Sequence, residues 1–142
     1  MSREELLYDG PLPYRLVADI MATDAAFDDR GGVSVFAGQV RADEDERGKV
    51  KAIEYSAYEE MAGKECNEVV EIVMRAFPDV KSVRVVHSTG VVKAGEMALL
   101  IVVTGGHRDQ TTRACRQTLE LLKERLPIWK REIYEDDTHR WR

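Results

Sequence analysis

Apolar residues recur with two different periods along this chain, and the two periods predict its helices and strands. An apolar residue at every third or fourth position suits an amphipathic helix, whereas alternation or a short unbroken apolar run is typical of a strand. Prolines and glycines separate these segments. The pattern predicts helices within 10–29, 59–77 and 108–126, and strands within 31–40, 50–58, 80–88, 96–104 and 128–136.

Three finer expectations follow from the same pattern. The charged segment 41–49 is predicted to be a mobile loop, and the glycine-containing segment 89–96 is predicted to be a turn. The middle helix has the most regular apolar stripe. Its predicted buried face comprises Met61, Val69, Val70, Val73, Met74 and Phe77.

The order of the elements indicates the fold class. Paired strands joined by short connections favour a mainly antiparallel sheet with helices packed on it. We therefore expect an α+β fold with three helices, in a single domain that covers residues 1–142. Neither a G-x-G-x-x-G motif nor a Walker loop is present, so a nucleotide-binding fold has no support.

Composition narrows the class of protein. The chain has 142 residues, of which 44% are hydrophobic and 33% are charged, as in a folded globular domain. No apolar run approaches the ~20 residues of a membrane span, and the first ten residues lack the apolar centre of a signal peptide. We expect a cytoplasmic protein that does not bind a membrane. Cys66 and Cys115 have no metal-ligand spacing and are predicted to be small buried residues.

Charge is distributed unevenly along the chain. The formal net charge is -5, which argues against general nucleic-acid binding. Residues 107–131 nevertheless contain seven lysines and arginines against three acids, a local excess of four positive charges. A basic segment in an acidic chain indicates a specific anionic ligand or an acidic protein partner.

Two glycines lead from a predicted buried strand into the last helix, which begins with His107 and Arg108. The first N–H groups of a helix are free to bind an anion, and two basic side chains add positive charge there. This turn is therefore a candidate site for a phosphate or a carboxylate. The alternative is an ordinary strand-to-helix turn that Asp109 caps.

Two lysines flank the end of that helix. Lys123 lies about 40° from Leu119 on a helical wheel, at the edge of the apolar stripe. It is either a lysine that extends past the core to water or a partly desolvated amine that acts as a nucleophile or base. Lys130 follows the Pro127 break and shares one strand face with Ile128 and Glu132.

These motifs, taken in order, resemble the large catalytic subunit of molybdopterin synthase. The resemblance runs from about Gly31 to Trp141. It is carried by GGVSVFAGQVR, AIEYSAYEEMA, VVHSTGVVKAGE, GHR, LKERLPIWKRE and the closing D..HRW. The combination and spacing of these motifs are highly specific.

The resemblance implies an α/β hammerhead fold and an enzyme of molybdenum cofactor biosynthesis. That family converts cyclic pyranopterin monophosphate to molybdopterin by inserting two sulfurs as a dithiolene. Sulfur arrives as a thiocarboxylate on the C-terminal Gly-Gly of a small ubiquitin-like subunit. Two large subunits form a dimer with one small subunit at each end, a heterotetramer. Neither a cofactor nor a metal is expected.

The resemblance also implies roles for individual residues. Lys123 would be the principal catalytic lysine and Lys130 the second, and Phe36 would lie near the channel for the partner's tail. The predicted substrate-binding residues are Gln39, Arg41, His107, Arg108, Lys123, Lys130, Arg131 and Glu132.

Two other classes of protein fit some of these observations. A non-catalytic module that grips the tail of a ubiquitin-like partner would also suit a basic segment in an acidic chain. A generic anion-binding protein is a third hypothesis, and it differs in needing no partner. Both lysines together with His107 and Arg108 favour the enzyme, because a module that only grips a tail needs no phosphate site.

Overall fold

The computed structural model describes residues 3–142. Its helices are α1 (Arg3–Leu6), α2 (Arg15–Asp24), α3 (Glu59–Ala76) and α4 (Arg108–Arg125). Its strands are β1 (Leu7–Asp9), β2 (Gly32–Gln39), β3 (Glu44–Asp45), β4 (Gly48–Ala57), β5 (Val80–Lys93), β6 (Met97–Gly105), β7 (Ile128–Tyr134) and β8 (His139–Trp141). The three predicted helices correspond to α2, α3 and α4.

The strands form one sheet in the order β2-β6-β5-β4-β7-β8. All neighbours along this path are antiparallel, while the short β1 pairs in parallel with β5. The predicted α+β class with a mainly antiparallel sheet is therefore confirmed. In the described part of the chain, no helix has both the length and the apolar character that crossing a membrane requires.

Strand β5 is longer than the sequence predicts. It pairs with β6 over its first half and with β4 over Gly90–Lys93, so it links the two halves of the sheet. The segment 89–96 is therefore not one turn, because the reversal lies after Lys93, where Gly95 has a φ of 92°. Gly90, with a φ of 81°, lies at the change of partner strand, which explains why a glycine occurs inside a strand.

The segment predicted as a loop at 41–49 contains ordered pairing. Strand β3 pairs with the beginning of β4, Glu44 opposite Lys49 and Asp45 opposite Gly48. Strand β8 adds a further short hairpin beyond β7. Two-residue and three-residue strands carry too little periodicity to be seen in a sequence.

The main core lies between the sheet and helices α3 and α4. Val69, Val73 and Cys66 of α3 are fully buried, and Cys115 of α4 is 5% exposed, as predicted. Burial raises the pKa of the Cys66 thiol to about 11. The prediction for Met61 is wrong: it is 47% exposed. Eight helical residues turn it about 80° away from Val69, so it leaves the buried face.

Candidate active site

A cavity of about 490 Å³ lies where the C-terminal end of α4 meets the sheet. One helix and five strands contribute its walls, which combine apolar and polar side chains. The lining residues are Phe36, Gly38, Gln39, Tyr55, His87, Ala98, Leu99, Leu119, Leu122, Lys123, Leu126, Ile128 and Lys130.

Lys123 and Lys130 lie in the same cavity although a helix end separates them in sequence. Helix α4 ends at Arg125, and Leu126 leaves the helical conformation with a ψ of 127°. The Pro127 carbonyl accepts a hydrogen bond from the Tyr58 N–H at 3.1 Å, which ties the reversal to the start of α3. Strand β7 then begins at Ile128 and brings Lys130 opposite Tyr55 of β4.

The proline break therefore reverses the chain so that the two amines reach one cavity from two elements. Neither lysine side chain forms a hydrogen bond or an ion pair with another residue in the part of the chain that the structure describes. The cavity lining of that part contains no carboxylate either. Two cations without a counter-ion make the cavity a suitable place for an anionic ligand.

Tyr55 and His87 also line the cavity, and the sequence interpretation missed both. Their rings meet edge to face, with centroids 5.1 Å apart and an interplanar angle of 78°. Nδ1 of His87 lies 2.8 Å from the carbonyl oxygen of Ser88. In sequence both residues belong to ordinary apolar strands, so no local pattern distinguishes them from core residues.

The titration of these two side chains reflects their surroundings. Burial lowers the pKa of His87, and the positive charge of Lys130 lowers it further, while the hydrogen bond to Ser88 opposes them. Burial also raises the pKa of the Tyr55 hydroxyl. Both effects favour uncharged side chains at neutral pH.

Phe36 and Gln39 of β2 line the cavity as well. Gly38 between them leaves room for the Phe36 ring, since a Cβ at Gly38 would lie 3.2 Å from that ring and 3.3 Å from the Leu99 Cβ. The amide of Gln39 lies 3.5 Å from the Tyr14 hydroxyl. The structure thus brings four of the predicted site residues together: Phe36, Gln39, Lys123 and Lys130.

Arg41 does not line this cavity in a single chain. Its side chain is 85% exposed, and its guanidinium donates to both carboxylate oxygens of Asp43, at 2.6 and 3.3 Å. An exposed ion pair of this kind exchanges readily with water and ligands. Its predicted role in substrate binding stays a prediction.

His107 and Arg108 lie at the opposite end of α4. Fifteen helical residues separate Arg108 from Lys123, a rise of about 22 Å. The His107 N–H donates to the Asp79 carboxylate at 2.7 Å, and its ring nitrogen lies 3.2 Å from the same oxygen. Asp109 does not cap the helix, because it pairs with Arg113 at 2.8 Å instead. Within one chain, these two basic residues cannot share a small ligand with Lys123.

Arg131 and Glu132 are also outside the lining of the cavity. Arg131 pairs with Glu54, and its guanidinium carbon lies 5.6 Å from the centre of the Trp141 ring. Glu132 is 6% exposed and pairs with Arg142. Both residues therefore fasten β7 to its neighbouring strands. Their predicted contact with the substrate stays a prediction.

Comparison with known proteins identifies the family. The family model described as MoaE protein matches residues 14–125. The chain belongs to the MoaE family. It is similar to the "Molybdopterin synthase catalytic subunit" of Dictyostelium discoideum, with 34% identity over 91% of this chain and 77% of that relative. It is 37% identical to the protein of that name from Pyrococcus abyssi, over 75% of this chain and 70% of the relative.

The share of the matched protein that this chain covers varies from one match to another. It covers 30% of the longer Drosophila grimshawi relative, at 38% identity. The solved molybdopterin synthase of Staphylococcus aureus matches with a TM-score of 0.85 and 29% identity, over 100% of this chain and 98% of that one. A Helicobacter pylori structure described as a complex of subunits 1 and 2 of molybdopterin-converting factor matches with a TM-score of 0.80, at 20% identity, over 96% and 88%.

The predicted family and enzyme class are thereby confirmed. The chain is of the molybdopterin synthase catalytic-subunit type, an enzyme of molybdenum cofactor biosynthesis.

Proposed function

We propose that the chain inserts sulfur into cyclic pyranopterin monophosphate, with sulfur supplied by the C-terminal thiocarboxylate of a small ubiquitin-like partner. The observation that carries this proposal is the cavity with Lys123 and Lys130 and no carboxylate among its described lining residues. A cyclic phosphate and a thiocarboxylate are both anions, and two unpaired amines suit them. A module that merely gripped a tail would need no pair of lysines facing one cavity.

The lysines supply what this chemistry lacks. A thiocarboxylate sulfur is already nucleophilic, so the enzyme needs no cysteine in the cavity, and both of its cysteines are buried elsewhere. What remains is proton transfer, opening of the phosphate ring and stabilisation of negative oxygens. A positioned amine performs all three.

The apolar part of the cavity suits the tail of the partner. Phe36, Leu99 and Leu119 form walls with one polar side chain, Gln39, at the margin. A Gly-Gly tail has no side chains, so it needs little width to pass along these walls towards the lysines. The Helicobacter pylori structure, described as a complex of two subunits, supports such a partner.

A second copy of the chain would bring the remaining predicted residues to the cavity. Among the described residues, β2 is an edge strand of the sheet. The side chains of Val33 and Val35 on this strand are exposed. A two-fold antiparallel pairing of two β2 strands, centred on Val35, would set Gly32 of one copy opposite Gly38 of the other, next to its Gln39.

That register has a consequence for His107 and Arg108. Gly32 packs against the start of α4, since a Cβ built on it would lie 3.6 Å from the Arg108 Cα. The second copy's Gly32 end would therefore carry its His107 and Arg108 towards the Gln39 end of the first, where the cavity lies. A homodimer inside a heterotetramer thus joins the two groups of predicted site residues.

Reconstitution tests the activity. The purified chain is incubated with the thiocarboxylated small partner and cyclic pyranopterin monophosphate, and molybdopterin is measured. We expect product only when all three components are present. Tight binding of the partner's tail without any product would instead support the non-catalytic module.

A mixed dimer tests the shared site. In this proposal Lys123→Ala chains are inactive and His107→Ala chains turn over poorly when the precursor is well below saturation, but their mixed dimer contains one site with both residues intact. Random mixing of equal amounts should restore about a quarter of the sites. No rescue, or a light-scattering mass near that of one chain at micromolar concentration, would overturn the shared site.

A further inference from the structure

The cavity contains one basic nitrogen that the proposed roles leave unused. Among its described lining residues, the side chains with a basic nitrogen are Lys123, Lys130 and His87. The lysines serve as cations and proton donors in the proposed function. His87 is the remaining side chain that can accept a proton readily at neutral pH.

The hydrogen bond of His87 determines which nitrogen is free. A carbonyl oxygen only accepts hydrogen bonds, so the contact of 2.8 Å with the Ser88 carbonyl requires that Nδ1 carries the proton. Nε2 of the neutral ring then has a lone pair. The edge-to-face contact with Tyr55 holds the orientation of the ring.

The surroundings of His87 keep the ring neutral. The charged and titratable groups that line the cavity with it are Lys130 of β7, Lys123 of α4 and Tyr55 of β4. From β1 and β6, the residues in register with His87 are Leu7 and Leu99, which carry no charge. Apolar neighbours and nearby ammonium groups both disfavour an imidazolium.

The proposed reaction needs a proton acceptor. When a thiocarboxylate sulfur bonds to a carbon of the substrate, the partner's tail becomes a thioester with that substrate. The sulfur stays on the substrate only if water cleaves the bond between the acyl carbon and the sulfur. An attacking water needs a base to take its proton.

We propose that His87 Nε2 is the base that activates the water that releases the partner's tail. This inference rests on the proposed function. Nε2 takes one proton from water as the oxygen bonds to the acyl carbon, and the ammonium groups stabilise the oxyanion. The carbon–sulfur bond then breaks, and the sulfur leaves with the bonding electrons. The imidazolium returns its proton to that sulfur, so a thioester and water become a carboxylic acid and a thiol.

His87→Asn tests this role. An asparagine amide nitrogen occupies the place of Nδ1, so it keeps the hydrogen bond to Ser88 while Nε2 is removed. Single-turnover reactions with the thiocarboxylated partner and the precursor are followed by intact mass. We expect wild type to release the tail and His87→Asn to accumulate the partner joined to the substrate, with release slowed ~10²-fold or more. Hydroxylamine at neutral pH cleaves thioesters, so it should separate the partner from the substrate in that adduct.

Two controls separate this role from a structural one. His139→Asn makes the same exchange on β8, outside the cavity, and should release the tail as fast as wild type. His87→Gln places an amide near the position of Nε2 and should also accumulate the adduct. The wild-type release rate should fall as pH drops below the ordinary histidine range, and this fall should be absent in His87→Asn.

Each outcome is decisive. If wild type makes product and both His87 variants release the tail normally, the base is not His87. If both variants lose the first sulfur transfer and release together, with no adduct, His87 only maintains the cavity and the inference is wrong. If wild type forms neither adduct nor product, the proposed function itself fails and the role of His87 fails with it.

Discussion

The two ends of helix α4 carry basic residues in opposite kinds of surroundings. At its beginning the backbone is tightly packed: a Cβ at Gly105 would lie 2.3 Å from the Thr111 hydroxyl, and one at Gly106 would lie 2.4 Å from the Asp79 carboxylate. His107 is nevertheless 88% exposed there. At the other end Lys123 lies beside an open cavity of about 490 Å³ that both apolar and polar side chains line.

The comparison shows two ways in which a protein can form a site for an anion. The beginning of α4 offers a rigid backbone and exposed basic side chains, which suits a phosphate that must be bound but not changed. The end of α4 offers two amines beside an open cavity, where they can stabilise negative oxygens and transfer protons. We therefore assign binding to the first end and chemistry to the second.

The largest expected effect is at the end of α4. Lys123→Ala should reduce sulfur transfer ~10²–10⁴-fold, because it removes the proposed proton donor. Lys123 is exposed on its helix, so the free energy of unfolding should change by less than about 1 kcal/mol. Lys130→Ala should also impair turnover, but less completely. The measurements are molybdopterin formation and urea unfolding, with Lys64→Ala on α3 as the control.

Lys123→Arg sharpens this result. Arginine keeps the positive charge but does not lose its proton at neutral pH. We expect product formation to stay low. Near-normal product with arginine would show that Lys123 is only an electrostatic anchor, and the proposed proton transfer would be wrong.

At the beginning of α4 the expected effect is on binding. His107→Ala and Arg108→Ala should each weaken precursor binding about tenfold or more, because a charged hydrogen bond contributes roughly 1.5–3 kcal/mol. Partner binding should change less. Calorimetric titration with precursor and then with partner measures both. Equal losses for the two ligands would remove these residues from phosphate binding.

A glycine pair tests the rigidity of that same end. A Cβ at Gly31 would lie 2.1 Å from the Gly106 carbonyl oxygen, whereas at the neighbouring Gly32 the nearest atom is 3.5 Å away. Gly31→Ala should therefore reduce the free energy of unfolding by about 1–3 kcal/mol, and Gly32→Ala by clearly less. Urea unfolding compares the two. Similar losses for both would mean that the backbone there adjusts easily.

The smallest expected effect concerns pH. The pKa of His87 is lowered in the folded protein, whereas the unfolded chain has the ordinary value near 6.5. Below about pH 6.5, His87 binds a proton in the unfolded chain but not in the folded one. The free energy of unfolding should therefore fall as pH falls, until the pKa of His87 in the folded protein is reached. Above that window His87 contributes no pH dependence. In this pH window the free energy of unfolding of His87→Asn should depend less on pH than that of wild type. His139→Asn should keep the wild-type pH dependence.

Much of the fold could be predicted from sequence, because the spacing of apolar residues and the prolines and glycines that end each element are local features. The stripe through Val69 and Val73, the continuous apolar run of β6 and the stop at Pro127 each act over a few residues. The combination and spacing of six motifs, among them those around Lys123 and Lys130, were enough to indicate the family. Two predictions were wrong: strand β5 changes its partner strand at Gly90, and Met61 lies outside the buried face of α3. Both features depend on the neighbouring elements, which a local sequence pattern does not reveal.

The sequence by itself determined the three main helices, the sheet, the family and the two lysines, since each depends on residue type and spacing. Only the tertiary structure decided which side chains meet. It placed Tyr55 and His87 beside the lysines, because β4, β5 and β7 lie together in the sheet although they are distant in the chain. It also separated His107 and Arg108 from Lys123 by the length of α4, because a helix advances 1.5 Å with each residue.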